Sequence, residues 1–404
     1  MERLEIEECL LRLLDALKPI EETESVHLTE CHGRILAEDV AAGMMVPSFP
    51  KSAMDGYAVR ASDVEHASKE NPVRLKVLGE LLAGDYRQIS YEKNTAVRVM
   101  TGSYVPEGFD AVVRQESTDY GEAEVCVYET VKAYDNYCCV GEDIKAGDIV
   151  IRKNTRLSSV HVGLLASLGI EWLKVRRSAK TAIISTGTEV MQVGEKLVPG
   201  KIYNSTAYML AADIRREGLL VASMKTCADE EELLAAAIKS ALTDTDFVIT
   251  TGAVSVGKRD IIPKVLENAG AKVLFRRANI QPGTPTMASV LDGKVILSLS
   301  GNPYAAIANF EFYFWSAMAK LMQSDSFEAQ KATAVLSCEY TKVNKLRRFI
   351  RAYAKDNEVN IPSPVHASSV IHNLTECNCF IDLNAGERIK PGDEVTIRYF
   401  KGSR

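Results

Sequence analysis

Three times between residues 178 and 323 the chain repeats one pattern: a short apolar strand, a glycine turn and then a helix. AKTAIIST runs into GTE, DFVITTG into a helix from Asp260, and KVILSLSG into a helix from Tyr304. A parallel strand can only be reached by a crossover, and strands apolar along their whole length need cover on both sides. The pattern therefore predicts a parallel sheet with helices on both faces. Ligands of such open sheets bind beyond the carboxyl ends of the strands, which is where the three glycine turns fall.

The flanking sequence has a different texture. Residues 44–142 hold short alternating stretches (VRLKVLGE, TAVRVMTG, DAVVRQE, EVCVYET) separated by Gly, Pro and Asp, which predicts a β-rich domain. After residue 326 short strands return (ATAVLSCEY, RRFIRAYA, CFIDLNAG, DEVTIRYF), predicting a small β-barrel over 327–404. Leu10, Leu11, Leu14 and Leu17 recur at helical spacing within 4–17. In 143–177, GEDIKAGD precedes a short helix starting at Ser158 or Ser159 and ended by Gly169. The expected organisation is thus an elongated helical and linker domain from 1–43 plus 143–177, with the later piece returning beside the first helix, then the 44–142 domain, the α/β domain at 178–326, and the barrel.

Composition narrows the function. With 48 Lys+Arg against 54 Asp+Glu the formal charge is −6, which argues against a nucleic-acid binder, whose affinity comes largely from cations on phosphates. The N-terminus MERLEIEECL is acidic where a signal peptide is basic, and no apolar run is long enough to span a bilayer, so a cytoplasmic protein without a membrane partner is expected. Nine cysteines lack the C-x-x-C spacing of a zinc site, and disulfides are not expected. A metal cluster of Cys377, Cys379 and His372 is the weaker alternative to buried or idle thiols.

Gly252-Ala-Val-Ser-Val-Gly257-Lys258-Arg259 follows a strand and precedes a helix. It departs from a phosphate-cradling P-loop only in having Arg259 where a magnesium-binding hydroxyl belongs. Three readings stand beside each other: a P-loop-like nucleotide hydrolase, an anion-binding turn at a helix N-terminus, and a tight turn with glycines for steric reasons. Two other turns, around Met54-Asp55-Gly56 and Met100-Thr101-Gly102-Ser103, combine small residues with an acid and a hydroxyl. These suit either a plain turn or a site for a bulky ligand and a cation.

Taken together, SAMDGYAV, MTGSYVPEGFDAVV, GEDIKAGD, STGTEV, IYNSTAYML, DFVITTGAVSVGKRD, QPGTP, SGNPYA and HASSVIHNLTECN resemble, in order and spacing, the molybdopterin molybdenumtransferases, the MoeA and gephyrin E-domain family. The resemblance spans nearly the whole chain. It implies insertion of molybdate into adenylylated molybdopterin with release of AMP, magnesium as cofactor, and a homodimer whose partners are these small-molecule substrates. It also implies roles for Asp55, Asp143, Glu189 and Asp260 as catalytic acids, with Asp55, Glu189 and Asp260 on magnesium. Ligand contacts implied are Thr101, Asp229, Gly252, Ser255, Gly257, Gly301, Asn302, Pro303, Arg351 and Ser368, and Lys258 and Arg277 are expected beside them as cations particular to this chain. Asp229 and Asp260 each keep an alternative reading as a helix N-cap.

Departures from the family pattern point to divergence. Gln281-Pro-Gly-Thr284-Pro stands where the family has Lys-Pro-Gly-Lys-Pro, Ala253 replaces the second glycine of GGVSVG, Thr206 an Asn, and Ser300 the first proline of PGNP. Lys258, Arg259 and Arg277 are the expected substitutes for the lost charge around the Gln281–Thr284 segment, which is expected to border the anion pocket. A diverged paralogue that binds a pterin ligand without catalysis is the alternative function.

Overall fold

The computed structural model describes residues 3–254 and 261–403. They form two compact units: 1–37 with 154–158 and 173–404, and 38–153 with 159–172.

The larger unit contains the six-stranded sheet expected from the strand–turn–helix pattern. Its strand order is Leu220–Cys227, Lys180–Thr186, Phe247–Thr251, Lys294–Leu299, Met287–Leu291, Lys272–Phe275. The first four are parallel, whereas Met287–Leu291 and Lys272–Phe275 add antiparallel, so the sheet is mixed at one edge. Successive strand residues point to opposite faces. Ile183, Phe247, Ile249, Val295 and Leu297 therefore meet helices Ser205–Arg216 and Pro303–Met322 on one side. Ala182, Ile184, Val248 and Ile296 meet Glu231–Asp244 and Ile262–Asn268 on the other. Pro303–Met322 is buried nearly all round, through Phe310, Phe314 and Trp315, which is why its sequence shows no polar face.

The first helix, Ile6–Asp15, buries Ile6, Cys9 and Leu13, so its inner face is turned from the leucine stripe read in the sequence, and Leu11 is exposed. It packs on Pro303–Met322 and Lys272–Phe275, and the Ser159–Ser167 helix belongs to the other unit. From the later segment, Trp172–Arg176 pairs with Thr23–His27, Ile149–Ile151 pairs with Val40–Ala41, and Arg156 bridges Ile35.

At the C-terminus Arg347–Lys355, Glu358–Asn360, Lys331–Leu336, Glu394–Tyr399 and Cys379–Leu383 pair in a ring that Arg347–Lys355 closes with Cys379–Leu383. This is the expected barrel, with Leu336, Ile350, Ile381 and Ile397 inside. The short strand Ile280–Gln281 of the α/β region pairs in parallel with Arg347–Lys355.

The second unit is built on a five-stranded sheet ordered Ala111–Arg114, Gly56–Val59, Thr95–Val99, Val73–Leu81, Glu124–Val127. Its remaining part packs Ala42, Ile144 and Leu168 around the Ser159–Ser167 helix. No helix among the described residues is long and apolar enough to cross a membrane.

Candidate functional site

The strands Lys180–Thr186, Phe247–Thr251 and Lys294–Leu299 end side by side, and the glycine turns that follow them line one cleft of about 660 Å³. Gly252 makes the approach possible. It has φ +91°, and a Cβ there would overlap Thr186 O and lie 2.8 Å from Thr186 Oγ1. Gly301 packs against it from the next turn, where a Cβ would stand 3.3 Å from Gly252 Cα. The walls are rich in hydroxyls: Ser185, Thr186, Thr206, Thr251, Ser300 and Ser369 all reach the cleft. Thr251 Oγ1 donates to Ser185 Oγ at 3.0 Å and Thr186 Oγ1 to Thr251 O at 3.2 Å, which ties the strand ends together.

Two helices begin at this cleft. Asn204 caps Ser205–Arg216, its Oδ1 accepting from Ala207 N at 3.1 Å. Asn302 and Pro303 start Pro303–Met322, with Asn302 N donating to Ser300 Oγ at 3.3 Å. Both positive dipole ends favour an anion there.

Glu189 and Asp229 are the formal charges among the described lining residues. Glu230 is the N-cap of the following helix, so the reading of Asp229 as a cap does not hold. Asp229 Oδ2 instead accepts from Thr188 N at 3.4 Å, and its Oδ1 is buried without a hydrogen-bond partner. An unpaired carboxylate oxygen in a cleft that also carries Glu189 suits a hard divalent cation, which takes oxygen ligands and keeps water and phosphate in its remaining positions.

Of the sequence-derived candidates, Glu189, Asp229, Gly252, Gly301, Asn302 and Pro303 meet at this cleft. Ser255, Gly257, Lys258, Arg259 and Asp260 lie outside the described residues. Ser368 contributes its carbonyl to Tyr304 N at 3.0 Å, while its neighbour Ser369 lines the cleft. Arg351 is 2% exposed and does not line the cleft. Its Nη1 and Nη2 donate to Val370 O at 2.6 Å and Val365 O at 2.7 Å, and its guanidinium lies 3.9 Å from the Tyr304 ring centroid. It therefore holds the loop that carries Ser368 and Ser369. Arg277 is also away from the cleft, its carbonyl accepting from Leu4 N at 3.2 Å. Gln281 and Thr284 line a separate cavity, contrary to the expectation that they border this one.

In the second unit the two short turns are stitched together. Asp55 Oδ1 accepts from Thr101 N at 2.7 Å and Thr101 Oγ1 at 2.8 Å, and these bonds hold the Asp55 carboxyl below its ordinary pKa. Gly56 follows because a Cβ would collide with Val113 O across the sheet. Asp143 is exposed, with its N–H donated to Val46 O at 3.0 Å.

The nine cysteines are free thiols. Burial pushes Cys377 up to about 11 and Cys379 up to about 12, and no group of three or more metal-ligating side chains occurs among the described residues.

Sequence reading missed the strand-end hydroxyls Ser185, Thr186 and Thr251 and the cap Asn204. Their signal was present: small polar residues interrupting apolar strands immediately before a glycine.

Three family profiles cover the chain in order: the MoeA N-terminal region (domain I and II) at 4–169, a probable molybdopterin binding domain at 182–320, and the MoeA C-terminal region (domain IV) at 333–400. The molybdopterin molybdenumtransferase of Staphylococcus epidermidis is 37% identical over 377 residues, spanning 92% of this chain and 90% of that one. The chain belongs to the MoeA family. The Bacillus subtilis molybdopterin molybdenumtransferase is likewise 37% identical, over 91% of this chain and 87% of its own. The crystal structure of the MoeA protein from Pyrococcus horikoshii superimposes with TM-score 0.85 at 28% identity, covering 99% of this chain and 100% of that one. Like its MoeA relatives, then, this chain is placed in molybdenum cofactor biosynthesis, and the profile for a molybdopterin binding domain falls on the unit that holds the cleft.

Proposed function

We propose that this MoeA-family chain is a molybdopterin molybdenumtransferase that inserts molybdate into adenylylated molybdopterin and releases AMP. The observation that carries the reading is the cleft beyond Thr186, Thr251 and Leu299, which two helix N-termini, a set of hydroxyls, Glu189 and Asp229 line together. A diphosphate ester has the charge and the acceptor oxygens that such walls accommodate. Ser300, whose Oγ accepts from Asn302 N, donates to its oxygens, Ser185, Thr186 and Thr251 fix the strand ends through their own hydrogen bonds, and the helix dipoles stabilise charge that builds on the leaving phosphate. Asp229 and Glu189 would hold magnesium, which when bound neutralises the diphosphate and polarises the phosphorus centre. Glycines 252 and 301 let the ligand approach the backbone.

Asp55, Thr101 and Asp143 belong in this reading to a homodimer, the Asp55–Thr101 turn of a second copy completing the site. The low pKa that Thr101 confers keeps Asp55 anionic for that role. AMP release from adenylylated molybdopterin, measured with and without molybdate and magnesium, tests the reaction. Asp229→Asn is expected to abolish the magnesium-dependent part, and full retention of that rate would sink the assignment. A monomer in sedimentation at micromolar concentration would sink the dimer.

A further inference from the structure

Thr226 lies on Leu220–Cys227, the strand at one edge of the six-stranded sheet, and is the register partner of Ser185, which in turn pairs with Thr251. Register partners send their side chains to the same face, so three hydroxyls form a row across the ends of three parallel strands. The amide of Asn204 is set into this row. Its Oδ1 is committed to Ala207 N, as the helix cap requires, and also accepts from Ser185 Oγ at 3.3 Å. Its Nδ2 is thereby turned toward the edge strand, where it donates to Thr226 Oγ1 at 3.1 Å.

The same oxygen has a second donor, Gln192 Nε2, at 2.7 Å. The two donors stand at equivalent places in the chain. Gln192 follows Val190–Met191 and Asn204 follows Ile202–Tyr203, the two strands of a short parallel ribbon in which Val190 pairs with Ile202 and Met191 with Tyr203. Thr226 Oγ1 therefore fastens both strand ends of the ribbon to the edge of the sheet. Glu189 is the residue that enters the ribbon, its carbonyl accepting from Ile202 N at 2.9 Å. At the exit Asn204 N donates to Met191 O at 3.0 Å. The turn with Glu189 and the helix start with Thr206 thus share one anchor, and both residues line the cleft. Thr226 and Gln192 do not line it, and both are half-buried.

We propose, resting on the reading of the cleft as the substrate site, that Thr226 is a positioning residue: through Gln192 and Asn204 it holds the Glu189 turn and the first turn of Ser205–Arg216 in the arrangement that receives the ligand. Hydrogen bonds run without a break from Gln192 through Thr226, Asn204 and Ser185 to Thr251, so the ribbon is keyed to a central strand of the sheet. A two-stranded ribbon this short is marginal by itself. Ordering it before the ligand arrives removes that ordering from the free energy of binding. Loss of the Thr226 oxygen leaves two N–H donors, on Asn204 and Gln192, without their acceptor.

Thr226→Val in the full-length protein tests it, because valine keeps the shape and suits a strand but removes the acceptor. Hydrogen exchange without ligand is expected to accelerate roughly tenfold at the amides of Ile202, Asn204 and Ala207, with Phe247–Thr251 and the melting temperature close to the parent. KM for adenylylated molybdopterin and Kd for AMP should each rise by roughly tenfold with kcat nearly unchanged, a split that a merely structural residue would not give. Thr226→Ser, which keeps the oxygen, should restore all three. Gln192→Leu should accelerate exchange at Ile202 and leave Ala207 as in the parent, since the cap needs only Asn204. Parent-like exchange in Thr226→Val, or faster exchange with unchanged KM and Kd, overturns the positioning role. A parent that binds AMP but releases none from the substrate refutes the reaction assigned above, and the AMP affinities then decide the role of Thr226. A parent that does neither overturns both.

Discussion

Gly252→Ala is the sharpest probe of the cleft, because its cost can be separated into two parts. A left-handed φ costs an alanine about 1–2 kcal/mol in the absence of any clash. Gly218 measures that part alone: its φ is +76° and a Cβ there meets nothing within 4 Å. At Gly252 the same backbone penalty applies, φ being +91°, but the Cβ also overlaps Thr186 O and comes within 2.8 Å of Thr186 Oγ1. Thr186 ends a central strand and donates to Thr251 O, so it cannot retreat without disturbing that bond. Forcing backbone apart in a packed region typically costs a further ~1–3 kcal/mol. We therefore expect Gly218→Ala to lose about 1–2 kcal/mol in denaturant unfolding with normal turnover. Gly252→Ala should lose about 2–5 kcal/mol, the sum of both parts, and most of its AMP release because the floor of the cleft shifts. If the two alanine variants were equally stable and equally active, the close approach of the Gly252 and Thr186 turns would not be what shapes the site.

Four further outcomes follow from particular residues. Thr101→Val removes the side-chain donor to Asp55 and should raise the Asp55 pKa, read by NMR titration; the anionic form is then lost at a higher pH as acid is added, so the acid limb of turnover should move upward. Ala253 sits at φ +44°, so Ala253→Gly should stabilise the protein by up to about 1 kcal/mol in the same unfolding assay. Burial raises Glu311 to about 8, and a carboxyl that keeps its proton only when folded loses stability as pH climbs from its unfolded value through that pKa. Melting temperature should accordingly fall between about pH 5 and 8 in the parent, and Glu311→Gln should flatten that slope. Arg351→Met should release the loop bearing Ser369, raising KM for the pterin substrate more than it lowers kcat, whereas equal loss in both would point to a different role.

Much of this architecture was legible because its signals are local. Apolar runs such as Thr181–Ile184 and Val248–Ile249 bounded by glycine turns require a covered parallel sheet, and that topology brings the turns to one edge. Glu189, Asp229, Gly252, Gly301 and Asn302, expected from the family resemblance, line the cleft at that edge. What tertiary structure decided were the facts that depend on which residue faces which across long sequence separations. Register places Arg348 beside Gln281, and nothing local to either residue encodes that pairing. Packing on Pro303–Met322 turns the first helix so that Leu11 faces solvent, although helical spacing by itself put it with the other leucines. Arg351 shows the same division: the resemblance implies a ligand contact, but burial against Tyr304 and two loop carbonyls makes it the support for the Ser368–Ser369 loop. Periodicity and turn chemistry act over a few residues and can be read from the chain, whereas pairing partners of a buried charge exist only once the strands have met.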